Sequence, residues 1–326
     1  METRPIIYIF HGYGGENSLM PLASYMQAKN FETLILDDQK FPYQRQEMFD
    51  RLTSLKETHE IVFLTSEHLW FDRQNYQNIY WEDPSMLSAL ELLDFLSPKF
   101  SVFYPHDVEC FMHRCEMHWA GLFDYILLPY KNNDYYRLKE FNPNVEIVGW
   151  IKKSAEIVPK ISTSFEPYSP VFFPSNIITF YQTLGAEGYA NWFLKYINPS
   201  IPLKMPASDD GVFPILSQKG YMFLSSDRSV YDVMAEHNLI IASGTSSIVY
   251  EAALSGIPVI TLLDGVFSDS MYLKELNGIT GVYPVHPEDL TDYISHLNQS
   301  HTMLEHGPYI LKAFQFEKVL QLLTQF

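Results

Sequence analysis

Cysteine is nearly absent. Cys110 and Cys115 are the two in 326 residues, too few to staple a chain of this size, and that poverty suits a reducing compartment. Long apolar runs are missing as well. No stretch approaches the roughly 18–20 uncharged residues that cross a bilayer. The opening Met1-Glu2-Thr3-Arg4-Pro5, followed by the short run Ile6 to Phe10, lacks the form of a signal peptide. The expectation is a cytoplasmic protein without a transmembrane segment, with peripheral membrane contact left open. Cations are scarce: 22 Lys plus Arg stand against 39 Asp plus Glu, a formal net charge of −17. That balance excludes a broad nucleic-acid face, which needs clustered positive charge. Beyond residue 150 Arg228 is the one arginine, so an anionic ligand bound there must rely on backbone N–H groups, helix dipoles, a few lysines or a metal ion. The Gly-x-Ser-x-Gly elbow of an α/β-hydrolase is also missing.

What is present is a core-forming chain, 47% hydrophobic and 19% charged, long enough for about two domains. Its first half alternates apolar runs with amphipathic segments. Strands are expected at Ile6–Phe10, Glu32–Asp37, Glu60–Leu64, Phe100–Tyr104, Tyr125–Leu128 and Val145–Gly149, with helices at Leu19–Ala28, Met48–Lys56 and Pro84–Leu96. The proline- and serine-rich stretch 152–170 breaks the pattern, which then restarts. Strands follow at Val171–Phe173, Leu203–Met205, Tyr221–Leu224, Leu239–Ala242 and Pro258–Leu262, and helices at Ile178–Leu194, Val230–Glu236, Ser246–Leu254 and Tyr309–Leu323. Such alternation implies mostly parallel sheets covered by helices on both faces. The domain expectation is an N-terminal Rossmann-like domain over 1–155, a linker over 156–170, a second Rossmann-like domain over 171–308, and a final helix within 309–326 that returns to the first.

The most informative segment is Leu239 to Leu262. A buried strand ends in Ser243-Gly244-Thr245-Ser246-Ser247 and leads into a helix. Gly244 permits a tight bend, and the hydroxyls of Thr245, Ser246 and Ser247 fall at the helix start, where unpaired N–H groups can hold a phosphate. Glu251, one turn on, can accept hydrogen bonds from a ribose. Simple capping of the helix by Ser246 explains the same residues.

Ile240 to Val259, set between two α/β halves, resembles the C-terminal nucleotide-binding domain of GT-B glycosyltransferases. It is also similar to CDP-glycerol glycerophosphotransferases and non-hydrolysing UDP-sugar 2-epimerases. The resemblance implies two Rossmann-like domains across a cleft, with a nucleotide-activated donor on the second and the acceptor on the first. It adds Ser175, Lys204 and Arg228 as partners of the donor phosphate. Some relatives carry a histidine where this chain has Met205, a departure from the glycerophosphotransferase and sialyltransferase patterns. Asp209-Asp210-Gly211 reads as a turn.

In the first half, His11-Gly12-Tyr13-Gly14-Gly15 follows the first strand. A histidine there has a pKa suited to deprotonating an acceptor hydroxyl, while Gly12, Gly14 and Gly15 allow a substrate close to the backbone. Asp107 and Glu109, after Tyr104, are the competing bases. His106, Cys110 and His113 would share one helical face, but three ligands fall short of a structural zinc site. No metal or cofactor is expected, and metal binding by these three stays open. Trp70 and Trp81 bracket an aromatic and amide-rich segment suited to a sugar. The expected activity is transfer of a sugar from a nucleotide sugar to a hydroxyl of a glycan or glycosylated carrier, as in polysaccharide biosynthesis. The alternatives are a CDP-alditol-type phosphotransferase and a non-catalytic binding protein of the same fold.

Overall fold

The computed structural model describes residues 6–10, 15–37, 50, 52–58, 61–65, 89–105, 117–152, 167–174, 177–204, 211–243, 246–263, 278–300 and 308–325. The chain divides into two compact units, Met1–Lys152 with Lys312–Phe326, and Lys153–Leu311.

Among the described residues the first unit holds six strands: β1 (Ile6–Phe10), β2 (Thr33–Asp37), β3 (Val62–Thr65), β4 (Phe100–Phe103), β5 (Tyr125–Leu128) and β6 (Val145–Ile147). They form one sheet in the order β2-β1-β3-β4-β5-β6, with every pairing parallel. Parallel neighbours need crossovers, and the helices α1 (Gly15–Ala28), α2 (residues 52–58), α3 (Ala89–Leu96) and α4 (Asn133–Leu138) lie on those connections. Leu19, Leu22, Ala23 and Met26 of α1 pack against Val62 and Leu64 of β3 and Phe100 and Val102 of β4. Their i, i+3, i+4, i+7 spacing gives the helix a continuous apolar face.

The C-terminal segment closes this core. Phe314, Val319 and Leu323 join it, and the last helix runs Phe316–Thr324 rather than from Tyr309. The reason is backbone pairing. The Tyr309 N–H donates to Gly278 O at 2.8 Å, and the Trp150 N–H donates to Lys312 O at 2.9 Å, so 309–315 is held extended. Lys318 pairs with Glu146 at 2.8 Å. Glu317 accepts from the Tyr25 hydroxyl and pairs with Lys29 at 3.0 Å.

The Tyr25 hydroxyl first, and then Lys29, hold the Glu317 carboxyl below its ordinary value of 4.5. A carboxyl depressed in the folded state contributes stability above its unfolded pKa, and that contribution is lost as pH falls through the folded value. Glu317→Gln is therefore expected to flatten the fall of the unfolding midpoint below pH 4.5, measured by acid titration of thermal unfolding. An unchanged slope would show the contact contributes nothing in solution.

The second unit has the parallel sheet β10-β9-β8-β7, formed by β7 (Pro170–Phe173), β8 (Leu239–Ser243), β9 (Val259–Leu262) and β10 (Val282–Val285). Its helices are α5 (Ile177–Tyr196, bent at Gly185), α6 (Val212–Gln218), α7 (Val230–Glu236), α8 (Ile248–Leu254) and Leu290–Ser300. The core joins Phe172, Ile241, Ile260 and Leu262 of the sheet to Tyr189, Phe193 and Ile197 of α5 and to Leu290 and Leu297. Among the described residues, Leu203–Lys204 and Tyr221–Leu224 do not form full strands, and Met205 lies outside the described residues. Leu203 makes single parallel bridges, to Phe172 on one side and Phe223 on the other. Pro202 has no N–H to extend a ladder.

Those bridges still complete the topology. Phe172 directs its N–H and C=O to Pro202 and Lys204, so Leu203 lies on the side of β7 away from β8. The spatial order is Phe223, Leu203, β7, β8, β9, β10. In chain order that is 3-2-1-4-5-6, the doubly wound arrangement with its reversal between β7 and β8.

Candidate functional site

In an open α/β sheet, ligands settle at the carboxyl ends of the strands where the order reverses, because connections there leave in opposite directions and open a crevice. In the second unit that point lies between the ends of β7 and β8. The register sets Phe173 beside Ala242, and Ser243 beside Leu262, so the strand ends form one edge. The turn singled out from sequence leaves this edge at Ser243 and enters α8 at Ile248. Gly244, Thr245 and Ser175 lie outside the described residues.

Ser247 occupies the N-cap of α8 with φ −61° and ψ −14°, and its side chain makes no capping hydrogen bond. A hydroxyl on helical backbone cannot swing back over the first turn as one on extended backbone does. The helix opens instead through backbone bonds from Val249 N–H to Ser246 O at 3.2 Å and from Tyr250 N–H to Ser247 O at 3.0 Å. Capping therefore does not account for Ser247. Glu251 sits one turn on and is 4% exposed, within the buried run Ile248 to Ala252. A hydrogen bond to a carboxylate so buried is strong.

The two candidate cations have other partners. Lys204 is buried, and its ammonium donates to Ser225 O at 2.9 Å and Ser226 O at 3.0 Å. Arg228 donates to Glu236 at 2.6 Å, and that bond holds its pKa above the ordinary value. A phosphate would compete with these acceptors.

The first sheet also reverses, between β1 and β3, so the connection after Phe10 leaves at that sheet's own reversal point. His11, Gly12 and Gly14 occupy that connection, and Gly15 opens α1. His11, Gly12, Gly14, Trp70, Trp81, His106, Asp107, Glu109, Cys110 and His113 lie outside the described residues. β4, which precedes Asp107, is two strands from β1, about 10 Å along the edge at ordinary strand spacing. Among the described residues no cluster of His, Cys, Asp or Glu is arranged to hold a metal.

Sequence reasoning missed a brace at the end of β4. The buried Tyr104 hydroxyl donates to Gly149 O at 3.0 Å and accepts from the Ile151 N–H at 3.2 Å. Its ring meets Phe314 edge-on at 5.4 Å. A tyrosine closing a strand pattern carries no local sign of such a distant partner.

At the level of sequence, no protein-family model and no curated protein matches the chain. Solved structures do. UDP-GlcNAc 2-epimerase from Neisseria meningitidis, bound to UDP-GlcNAc, is similar at a TM-score of 0.56 and 12% identity, over 90% of this chain and 91% of that one. MurG from Acinetobacter baumannii gives 0.51 and 11%, over 99% and 100%. A glycosyltransferase from Rickettsia africae gives 0.52 and 12%, over 92% and 90%. The chain has the GT-B fold. At these identities the GT-B likeness is one of architecture, spanning both Rossmann-like units. Among the described residues no helix of this GT-B chain is long and apolar enough to cross a membrane.

Proposed function

We propose that the protein is a nucleotide-sugar-dependent glycosyltransferase acting on a hydroxyl of a glycan or glycosylated carrier. The observation that carries this reading is the position of the Ser243–Ser247 turn and the buried Glu251 at the strand-order reversal of the second sheet. There the start of α8, with Gly244, Thr245, Ser246, Ser247 and Ser175, takes the donor phosphate, and Glu251 takes the ribose. The acceptor oxygen attacks the anomeric carbon as that carbon's bond to the phosphate oxygen breaks. The bonding pair leaves with the nucleotide, where helix-end N–H groups stabilise the charge. His11 takes the acceptor proton.

Incubation with UDP-, GDP-, CDP- and CMP-linked sugars and a panel of glycan acceptors tests this by nucleotide release tied to acceptor modification. Conversion of UDP-GlcNAc without acceptor or nucleotide release would instead make the protein an epimerase. Binding without turnover would make it a non-catalytic protein.

The binding half has its own test. Replacing Ser246 and Ser247 by alanine is expected to weaken nucleotide binding at least 10-fold with the fold intact, since a hydrogen bond to a charged group is worth about 1.5–3 kcal/mol. Glu251→Gln is expected to weaken nucleosides and nucleotides alike. Calorimetric affinities equal to wild type in both variants would remove the donor site from α8.

A further inference from the structure

Among the described residues Lys204 is the one lysine that the fold buries, at 6% exposure. Its ammonium is bound to the carbonyls of Ser225 and Ser226. These residues belong to a turn that the Arg228 N–H closes on Ser225 O at 3.2 Å, with the Asp227 N–H donating to the Ser225 hydroxyl at 3.3 Å. Directly after it, the Ser229 hydroxyl accepts from the Tyr231 N–H and opens α7. Burial pushes the Lys204 pKa down, with Asp227 opposing the shift and Arg228 adding to it.

Turn carbonyls at a surface are ordinarily satisfied by water. Here they take a desolvated cation, a costly arrangement for a turn that needs only to exist. Proteins accept such local costs where a loop must hold one shape. The position says what that shape serves. Lys204 follows Leu203 beside β7, and the turn follows Phe223, the next line out. The turn therefore stands about 10 Å along the carboxyl edge from β7, at two strand spacings. A ligand whose phosphate lies between β7 and β8 can extend toward either end of this edge. Toward Lys204 it meets a turn of hydroxyls and backbone polar groups.

We infer that Lys204 is a positioning residue of the donor site, fixing the Ser225–Arg228 turn against which the nucleoside part of the donor lies. The inference rests on the donor-site reading above. In this role Lys204 acts through the turn and makes no bond to the phosphate.

The test is calorimetry of uridine, cytidine and guanosine, and of UDP, CDP and GDP, with wild type and Lys204→Met, which keeps the side chain's length and removes its charge. The expected result is a loss of at least 10-fold, equal for the preferred nucleoside and its diphosphate. A loss confined to the diphosphate overturns the inference and makes Lys204 a phosphate ligand. Unchanged affinities in a folded variant overturn it and leave Lys204 a stabilising residue only. If Lys204→Met does not fold, hydrogen exchange of the wild type decides: the nucleoside must slow the amides of residues 224–228, and no protection there overturns the inference. Failure of the wild type to bind any of the six ligands overturns the donor-site reading, and this inference with it.

Discussion

Gly149→Ala is expected to destabilise the protein by about 3 kcal/mol or more, from two costs that add. Gly149 has φ +86°, in the left-handed region that costs an L side chain roughly 1–2 kcal/mol. A β-carbon there would also stand 2.3 Å from Ala313 O and 2.6 Å from Lys312 O, so the returning C-terminal segment would have to move. Overpacking of this kind typically costs about 1–3 kcal/mol. Its neighbours cannot give easily. The Trp150 N–H is bonded to Lys312 O, and Tyr104 is bonded to Gly149 O. Gly220→Ala is the control, because Gly220 has φ +84° but nothing within 4 Å of its β-carbon position. Denaturant unfolding should show Gly149→Ala losing well over twice what Gly220→Ala loses. Equal losses would mean that the approach of Ala313 is relaxed in solution and only the backbone angle matters.

His11→Ala is expected to lower turnover by roughly 100-fold or more with donor affinity nearly unchanged, the ordinary worth of a general base. The topology favours this residue over its rivals. His11 follows β1 at the reversal of the first sheet, whereas Asp107 and Glu109 follow β4, two strands away. Steady-state rates with saturating donor, taken where each variant is fully folded, make the comparison. A large loss in Asp107→Asn or Glu109→Gln with His11→Ala nearly silent would move the base to the connection after β4. A loss of thermal stability in His11→Ala at unchanged rate would make the histidine a turn residue.

The strongest strands were legible because their signal is local. Leu239–Ser243, Val259–Leu262 and Tyr125–Leu128 are short runs of apolar, mostly β-branched or leucine residues between turn signals, the mark of strands buried on both faces. β10 was missed because Pro284 reads against a strand. The sheet tolerates it because, among the described residues, β10 lies at the edge with a neighbour on one side only. α4 was missed for another reason. Its asparagine-rich start looks like a loop until Asn132 is seen to cap it, accepting from the Tyr135 N–H at 3.1 Å. The Gly-Thr-Ser-Ser run was visible in the sequence, but that Ser247 stands on helical backbone without a capping hydrogen bond is read only from the folded chain.

Periodicity and turn chemistry were thus enough for the α/β alternation, the resemblance to GT-B proteins and most elements, because each depends on residues within a few positions of one another. Strand order, the partners of Lys204 and Arg228, and the need for glycine at 149 depend on backbone groups from distant parts of the chain. Leu203 becomes part of a sheet only through Phe172 and Phe223. Gly149 becomes irreplaceable only through Ala313, 164 positions later (313 − 149). A single side chain carries no trace of such a partner, since hydrogen bonding and steric exclusion act at a few ångströms and only the folded chain brings those residues within reach.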